Sequence, residues 1–437
     1  MRARPRGCWL VVPGTRAYAR SPTAPPFDRV DVPCRSSGRI TVDVFAASAP
    51  ASPVIVYLPP GPLVPDRKAE EQRVIAALRD TAAATVARIN YRASPEHGYP
   101  TPVHDVLFGW DWIRDNLLLD GLDRPYLARL GVCGELLGGS LATMLALTEC
   151  RLGESRIAAA AVNNPIVDWV FPHDFPVVDA AELPEPMAPD ETSFPAEHDT
   201  MELHPMLADK KPAPKPRRRT RKTEPLPAWQ QFGHNKTLPS STLSAQRHVL
   251  FGKPQDYLDR FASPIHFFRS PHAQLLLPHY DNIFASQEPE DMLDMEAQMA
   301  LEHYNSVHAP TPSPPEVPVL SRCRSYARNY PVAGARLSLP EWTITAGMES
   351  PLLDQSAELV KVLRRSMARH AVKTRTGRTR WHDAVEKDMY DDYASARVTL
   401  RQPPGIGLWT DQSDDSWTMD VQQVATWMKE RLDVKNA

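Results

Sequence analysis

The sequence predicts an α/β chain built on a mostly parallel central sheet with helices on both faces. Three observations predict it. Short apolar runs of strand length alternate with helical patterns from residue 54 to 162. The same rhythm returns between 342 and 432. No apolar run approaches the roughly 18–20 residues that a membrane-spanning helix needs. Strands alternating with helices call for parallel pairing through right-handed crossovers. The 437 residues suit one large domain or two ordinary ones, and an apolar fraction of 42% supplies a sizeable core.

Residues 28–47 alternate as a hairpin: Val30 and Val32 face Ile40, Val42 and Val44 across a turn at Ser36-Ser37-Gly38. Val54–Leu58 reads as a buried strand, 66–82 as a helix and Thr85–Asn90 as a second strand. The helix at 101–118 opens with Pro102 in its first turn, where the missing N–H costs nothing. Its Val103, Val106, Leu107, Trp110, Ile113 and Leu117 share one face. Leu127–Cys133 follows as a strand, 136–150 as a helix and Ile157–Val162 as a strand.

The rhythm breaks near 178. Residues 178–228 are rich in Pro, Glu, Asp and Lys and poor in aliphatics, the composition of a disordered insertion. Helical segments return at Ala245–Leu250 and Gln255–Phe261. A second insertion is expected at 271–338, with an acidic helix and then a Pro-rich loop over 287–318. Trp342–Ala346 reads as a strand, 354–366 as a helix, 367–394 as an intervening charged insertion and Val398–Arg401 as a strand. The final helix turns Val421, Val424, Ala425, Met428 and Leu432 to one side. Residues 28–437 then form one interrupted domain behind a basic leader at 1–27.

Charge is nearly balanced, 50 basic against 53 acidic residues, so no global field calls for nucleic acid or membrane, and an anionic partner must use a local patch. Proline, 45 residues, is about twice as frequent as usual, which fits loops grafted onto a core. Cysteines 8, 34, 133, 150 and 323 form no Cys-x-x-Cys pair; they read as reduced intracellular thiols, without a disulfide frame or a zinc site. No metal spacing and no Gly-rich phosphate loop occur, so no cofactor is expected.

Two segments resemble addresses. The leader carries Arg2, Arg4, Arg6, Arg16 and Arg20 with no acidic residue before Asp28, and Arg16-Ala17-Tyr18 followed by Ala19 resembles a matrix-protease cleavage site. Pro5, Gly7, Pro13 and Gly14 oppose the amphipathic helix of a presequence, which leaves a disordered basic terminus as the competing reading. Lys210, Lys211, Lys215, Arg217, Arg218, Arg219, Arg221 and Lys222 resemble a nuclear-import signal or a patch for an anionic partner; a solvated linker run competes. An intracellular location is expected, mitochondrial ahead of nuclear or cytoplasmic.

Three further segments carry a family resemblance. Asn90-Tyr91-Arg92-Ala93-Ser94-Pro95-Glu96-His97-Gly98-Tyr99-Pro100 precedes a helix bearing Asp105. Gly134-Glu135-Leu136-Leu137-Gly138-Gly139 lies between a strand and a helix. Ala262-Ser263-Pro264-Ile265 is followed at a distance by Gly347-Met348-Glu349-Ser350-Pro351-Leu352-Leu353-Asp354. Together they resemble the hormone-sensitive-lipase-like branch of the α/β-hydrolases, in the order that fold requires. The resemblance implies an α/β-hydrolase fold, a serine nucleophile on a strained strand-to-helix turn, a histidine base, an acid that orients it, and two backbone donors for the oxyanion.

The chain departs from that pattern at each catalytic place. Leu136 stands where the family has its serine, Ser350 where it has its acid, and Ile406 in Gly405-Ile406-Gly407-Leu408-Trp409 where it has its histidine. The oxyanion loop reads Pro59-Pro60-Gly61-Pro62, so only Gly61 and the amide of Leu137 remain as donors. Gly134, Gly138 and Gly139 are kept, which suits a tight turn without its nucleophile. Losing the serine or the histidine alone costs about 10⁶-fold, and an oxyanion donor roughly 10²–10³-fold more, though not additively. A catalytically degenerate member is therefore expected: a binding or scaffold protein for a protein partner or an apolar ligand in the old pocket. The alternative is a weak carboxylic-ester hydrolase with a displaced nucleophile, Ser140, Ser350 or Cys133. His97, His104 and Asp105 read as structural, and His173 and His234 are weaker candidates.

Overall fold

The computed structural model describes residues 27–47, 52–64, 67–119, 124–125, 127–175, 183–186, 226–276, 319–332, 334–378, 381–413 and 415–433. The leader up to residue 26, the basic cluster at 210–222 and the expected acidic helix and Pro-rich loop at 287–318 lie outside them.

Ten strands are described: β1 Asp28–Pro33, β2 Arg39–Phe45, β3 Val54–Leu58, β4 Thr85–Asn90, β5 Arg129–Glu135, β6 Arg156–Asn163, β7 Ala273–Leu276, β8 Val319–Arg322, β9 Glu341–Thr345 and β10 Val398–Arg401. The helices used below are α1 Lys68–Ala82, α2 Thr101–Asn116, α3 Leu137–Thr148, α4 Ala228–Gln231, α5 Ser240–Leu250, α6 Pro254–Leu258, α7 Leu353–Thr376, α8 Ala384–Arg397 and α9 Ser416–Leu432. Eight strands form one sheet in the order β1-β2-β4-β3-β5-β6-β9-β10. The β1–β2 and β2–β4 pairs are antiparallel and the remaining pairs parallel.

Alternation along the strands sorts the core into two layers. In β3, Val54, Val56 and Leu58 join the larger apolar cluster, with α2, α3 and α7, while Ile55 and Tyr57 join the smaller one, with α1 and α9. Period-two side-chain direction on a sheet covered on both faces produces this division. All five residues expected on one side of the last helix are buried there in α9.

Several elements differ from expectation, the helix expected at 245–250 beginning at Ser240 and that at 255–261 spanning Pro254–Leu258. Strand β5 runs two residues beyond Cys133, to Glu135. The helix expected to end at 366 continues to Thr376, and α8 fills most of the remaining charged segment. The apolar stripe persists through Leu363, Met367, Ala371 and Val372, while the charged residues lie on the outer side. Gly377, at φ +70°, ends the helix in the left-handed conformation. The described ends of 271–338 are ordered against each other, β7 pairing antiparallel with β8.

A buried polar cluster links this arm to the core. Asp168 pairs with Arg269 at 2.7 Å, and Arg269 with Glu358 at 2.8 Å. His266 Nδ1 donates to the Leu258 carbonyl at 3.0 Å. Burial lowers the His266 pKa from 6.5 to about 4 and that of His272 to about 3. An unfolded chain takes up these protons first as pH falls through 6.5. Stability present above pH 6.5 is therefore lost between 6.5 and about 4. Urea unfolding of His266→Gln against the parent should show a shallower decline over that window; parallel declines would contradict the assignment.

Candidate functional site at the carboxyl edge of the sheet

Strand β5 delivers Leu136 into the turn before α3 at φ +53°, ψ −116°. An L residue held there is strained by about 1–3 kcal/mol. Two backbone bonds over-determine it: the Leu136 amide donates to Asn163 O and the Ser140 amide donates to Leu136 O, each at 2.9 Å. The glycines explain why the turn closes. A Cβ on Gly138 would collide with the carbonyls of Leu58 and Pro59, and one on Gly134 with the carbonyl of Gly138. Gly139 packs against Pro165 with little space to spare. The sharp turn of a nucleophile elbow is thus present with a hydrocarbon side chain at its tip. That side chain is 0% exposed and belongs to the main apolar cluster.

Ser350 and Ile406 lie on adjoining loops. Gly347, after β9, donates through its amide to Ile406 O at 3.1 Å, and the Glu349 amide donates to Gly405 O at 2.8 Å. A Cβ on Gly347 would strike the Ile406 backbone. Ser350 is fully buried, and its hydroxyl accepts from the Leu352 amide at 3.2 Å inside its own turn. Ile406 is half-buried against the same core that holds Leu136. The fold therefore brings Leu136, Ser350 and Ile406 to one end of the sheet.

The organising group there is Glu135, which the motif reading quoted but assigned no role. Its carboxyl is fully buried and accepts from the Trp409 amide at 2.6 Å, the Thr410 hydroxyl at 2.8 Å and the Asn163 side chain at 3.3 Å. Asn163 also donates to Gly407 O at 2.9 Å, and Asn164 to Ile406 O at 3.1 Å. Burial pushes the Glu135 pKa up to about 7, against the opposing pull of the Thr410 and Trp409 donors. The available signal was an acidic residue closing an apolar strand, Gly131-Val132-Cys133-Gly134-Glu135.

Gly61 sits in a short 3₁₀ turn after β3, at φ +77°, and abuts the Leu137 side chain. Tyr91 steadies that loop by donating to Pro59 O at 2.6 Å. Arg92 binds the buried Asp105 carboxylate through its amide and guanidinium at 2.7–2.9 Å, so Asp105 anchors the loop after β4. His97 contacts Ser94 Oγ at 3.1 Å, and His104 is exposed on α2.

Among the described residues, the fallback nucleophiles have no histidine partner. The Ser140 hydroxyl donates to Ala262 O at 3.3 Å and is buried beside a cavity of about 20 Å³ lined by Tyr99, Leu137, Trp169 and Phe251. Cys133 points to the opposite face of the sheet, into the α1–α9 cluster, where burial pushes its thiol pKa far up. His173 contacts Ser244 Oγ at 3.1 Å and stacks on Trp229; His234 is exposed. Among the described residues, no histidine is hydrogen-bonded to Ser140, Ser350 or Cys133, and no group of three or more His, Cys, Asp and Glu residues is placed to hold a metal. None of the described helices is long and apolar enough to cross a membrane.

Residues 55–199 match the family model of the alpha/beta hydrolase fold. An ethyl acetate hydrolase from Pseudomonas putida is 33% identical over 96 residues, 22% of this chain and 29% of that protein. An arylesterase from Saccharolobus solfataricus is 29% identical over 101 residues, 23% of this chain and 31% of its own. The match thus spans less than a third of these relatives' lengths. Among solved structures, the esterase of the hyperthermophilic archaeon Pyrobaculum calidifontis superposes with a TM-score of 0.51 at 16% identity, covering 93% of this chain and 86% of that one. Carboxyl esterase 2 of the fungus Tuber melanosporum gives 0.52 at 12% identity, covering 97% and 93%.

Two predictions follow from the Glu135 geometry. Its folded pKa lies above the ordinary 4.5, so the stability present below pH 4.5 declines as pH rises toward about 7. Glu135→Gln should gain on the parent between pH 5 and 8 in urea unfolding; a constant difference would count against the raised pKa. Glu135→Ala strands buried donors and should lose about 1–3 kcal/mol or more.

Proposed function

We propose that this chain, an α/β-hydrolase fold, does not hydrolyse esters at its sheet-edge centre and acts as a binding or scaffold protein. The observation that carries the reading is Leu136. It occupies the tip of the strained turn, fully buried, with no oxygen or sulfur to attack a carbonyl. Ser350 and Ile406 supply neither a carboxylate nor an imidazole beside it. Donor geometry alone leaves roughly 10³–10⁴-fold over water in a serine hydrolase stripped of its triad, and here prolines flank Gly61.

A protein partner suits this site better than an apolar ligand in the old pocket. The cavity next to Ser140, about 20 Å³, holds little more than one water. Ligand pockets usually measure about 300–1,000 Å³. The names of the similar proteins favour the second reading, a carboxylic-ester hydrolase working through a displaced nucleophile. Against it stand the Ser140 bond to Ala262 O and the burial of Cys133.

Hydrolysis of p-nitrophenyl acetate by the purified full chain tests the proposal. Turnover equal to that of a heat-killed sample is expected. Turnover above about 0.1 s⁻¹, which falls within the enzymatic range, would overturn it, and its loss in Ser140→Ala would locate the nucleophile. Leu136→Ser should remain inactive and lose about 2–4 kcal/mol of stability through the deleted apolar contacts.

A further inference from the structure

At the opposite edge of the sheet, where the parallel strands begin, α7 and α8 enclose a groove of about 210 Å³ with the segment that enters β9. Its polar wall is Ser338, His370, Thr374, Arg375, Tyr393 and Arg397, and among the described residues no Asp or Glu lines it. The Tyr393 ring carries both guanidiniums, Arg375 at 5.0 Å and Arg397 at 5.5 Å from its centroid. Arg397 also donates to the Tyr393 hydroxyl at 3.2 Å. Both guanidiniums line the groove.

The charge around the groove is unbalanced. Arg397 lies 3.7 Å from Glu341, but Arg431 holds that carboxylate more closely, at 2.7 Å. Arg375 has no carboxylate partner among the described residues. Arg129 and Arg156 sit directly opposite each other on β5 and β6, an arrangement of like charges that costs stability. Burial, Arg129 and then Arg397 hold the Arg156 guanidinium below its usual pKa. The Ser338 hydroxyl and the His370 ring make no hydrogen bond with a described residue, so both are available as donors.

We propose that this groove binds a phosphate monoester, its phosphoryl oxygens held by the Arg375 and Arg397 forks and the Ser338 hydroxyl. A dianion relieves the repulsion among the arginines, and the guanidinium fork matches phosphate oxygens in pairs. The volume accommodates the phosphoryl group with a short substituent. This site stands apart from the carboxyl-edge centre, so it holds whether or not that centre hydrolyses esters.

Calorimetric titration of the full chain at low salt with glycerol phosphate, inorganic phosphate and acetate tests it. Binding of glycerol phosphate is expected, tighter than inorganic phosphate and much tighter than acetate. Arg375→Ala, at an exposed position, should weaken it at least tenfold. Arg375→Lys should fall between, because it keeps the charge but loses the fork. Equal affinity for inorganic phosphate would overturn the ester in favour of the free anion. Equal affinity for acetate, no binding at about 10 mM ester, or an undiminished affinity in Arg375→Ala would overturn the site.

Discussion

The buried carboxyl of Glu135 joins two parts of the chain separated by more than 270 residues. It takes the Trp409 amide and the Thr410 hydroxyl from the loop after β10, while its own backbone ends β5. Asn163 and Asn164, closing β6, complete the link by binding the carbonyls of Gly407 and Ile406. The ends of the neighbouring strands β5 and β6 are thereby tied to the loop after β10. The turn at Leu136 and the loops at Ser350 and Ile406 inherit their positions from this arrangement.

Such positioning is demanding, and at Leu136 it is met by a buried hydrocarbon side chain. A left-handed turn residue costs about 1–3 kcal/mol, and burying a leucine side chain returns about 1.5–3 kcal/mol. The hydrocarbon at the tip therefore offsets strain that a serine, with less apolar surface, offsets less well. Gly134 and Gly138 permit the close approach of the backbone, and Leu136 is fully buried at the turn.

Much of this was legible in the sequence because burial on both faces leaves an apolar signature. Val54–Leu58 and the five inward residues of α9 announced themselves by pattern alone. Leu136, Ser350 and Ile406 each follow a strand that the pattern locates, so their placement at one end of the sheet was legible. The true end of α7 was not, because Arg364, Arg365 and Lys373 dilute a stripe that Met367 and Val372 continue. Glu135 carried no periodic signal, as its partners lie far along the chain. The Arg129–Arg156 opposition depends on strand register, which local spacing does not encode.

Intact-mass analysis after treatment with a fluorophosphonate, which labels an activated serine, tests the central claim most directly. A chain whose elbow ends in Leu136, and in which no described histidine is hydrogen-bonded to Ser140 or Ser350, should emerge unmodified. A stoichiometric adduct mapped to Ser140, Ser350 or any other serine would contradict the account, because it would reveal a working nucleophile that the geometry of this edge does not provide.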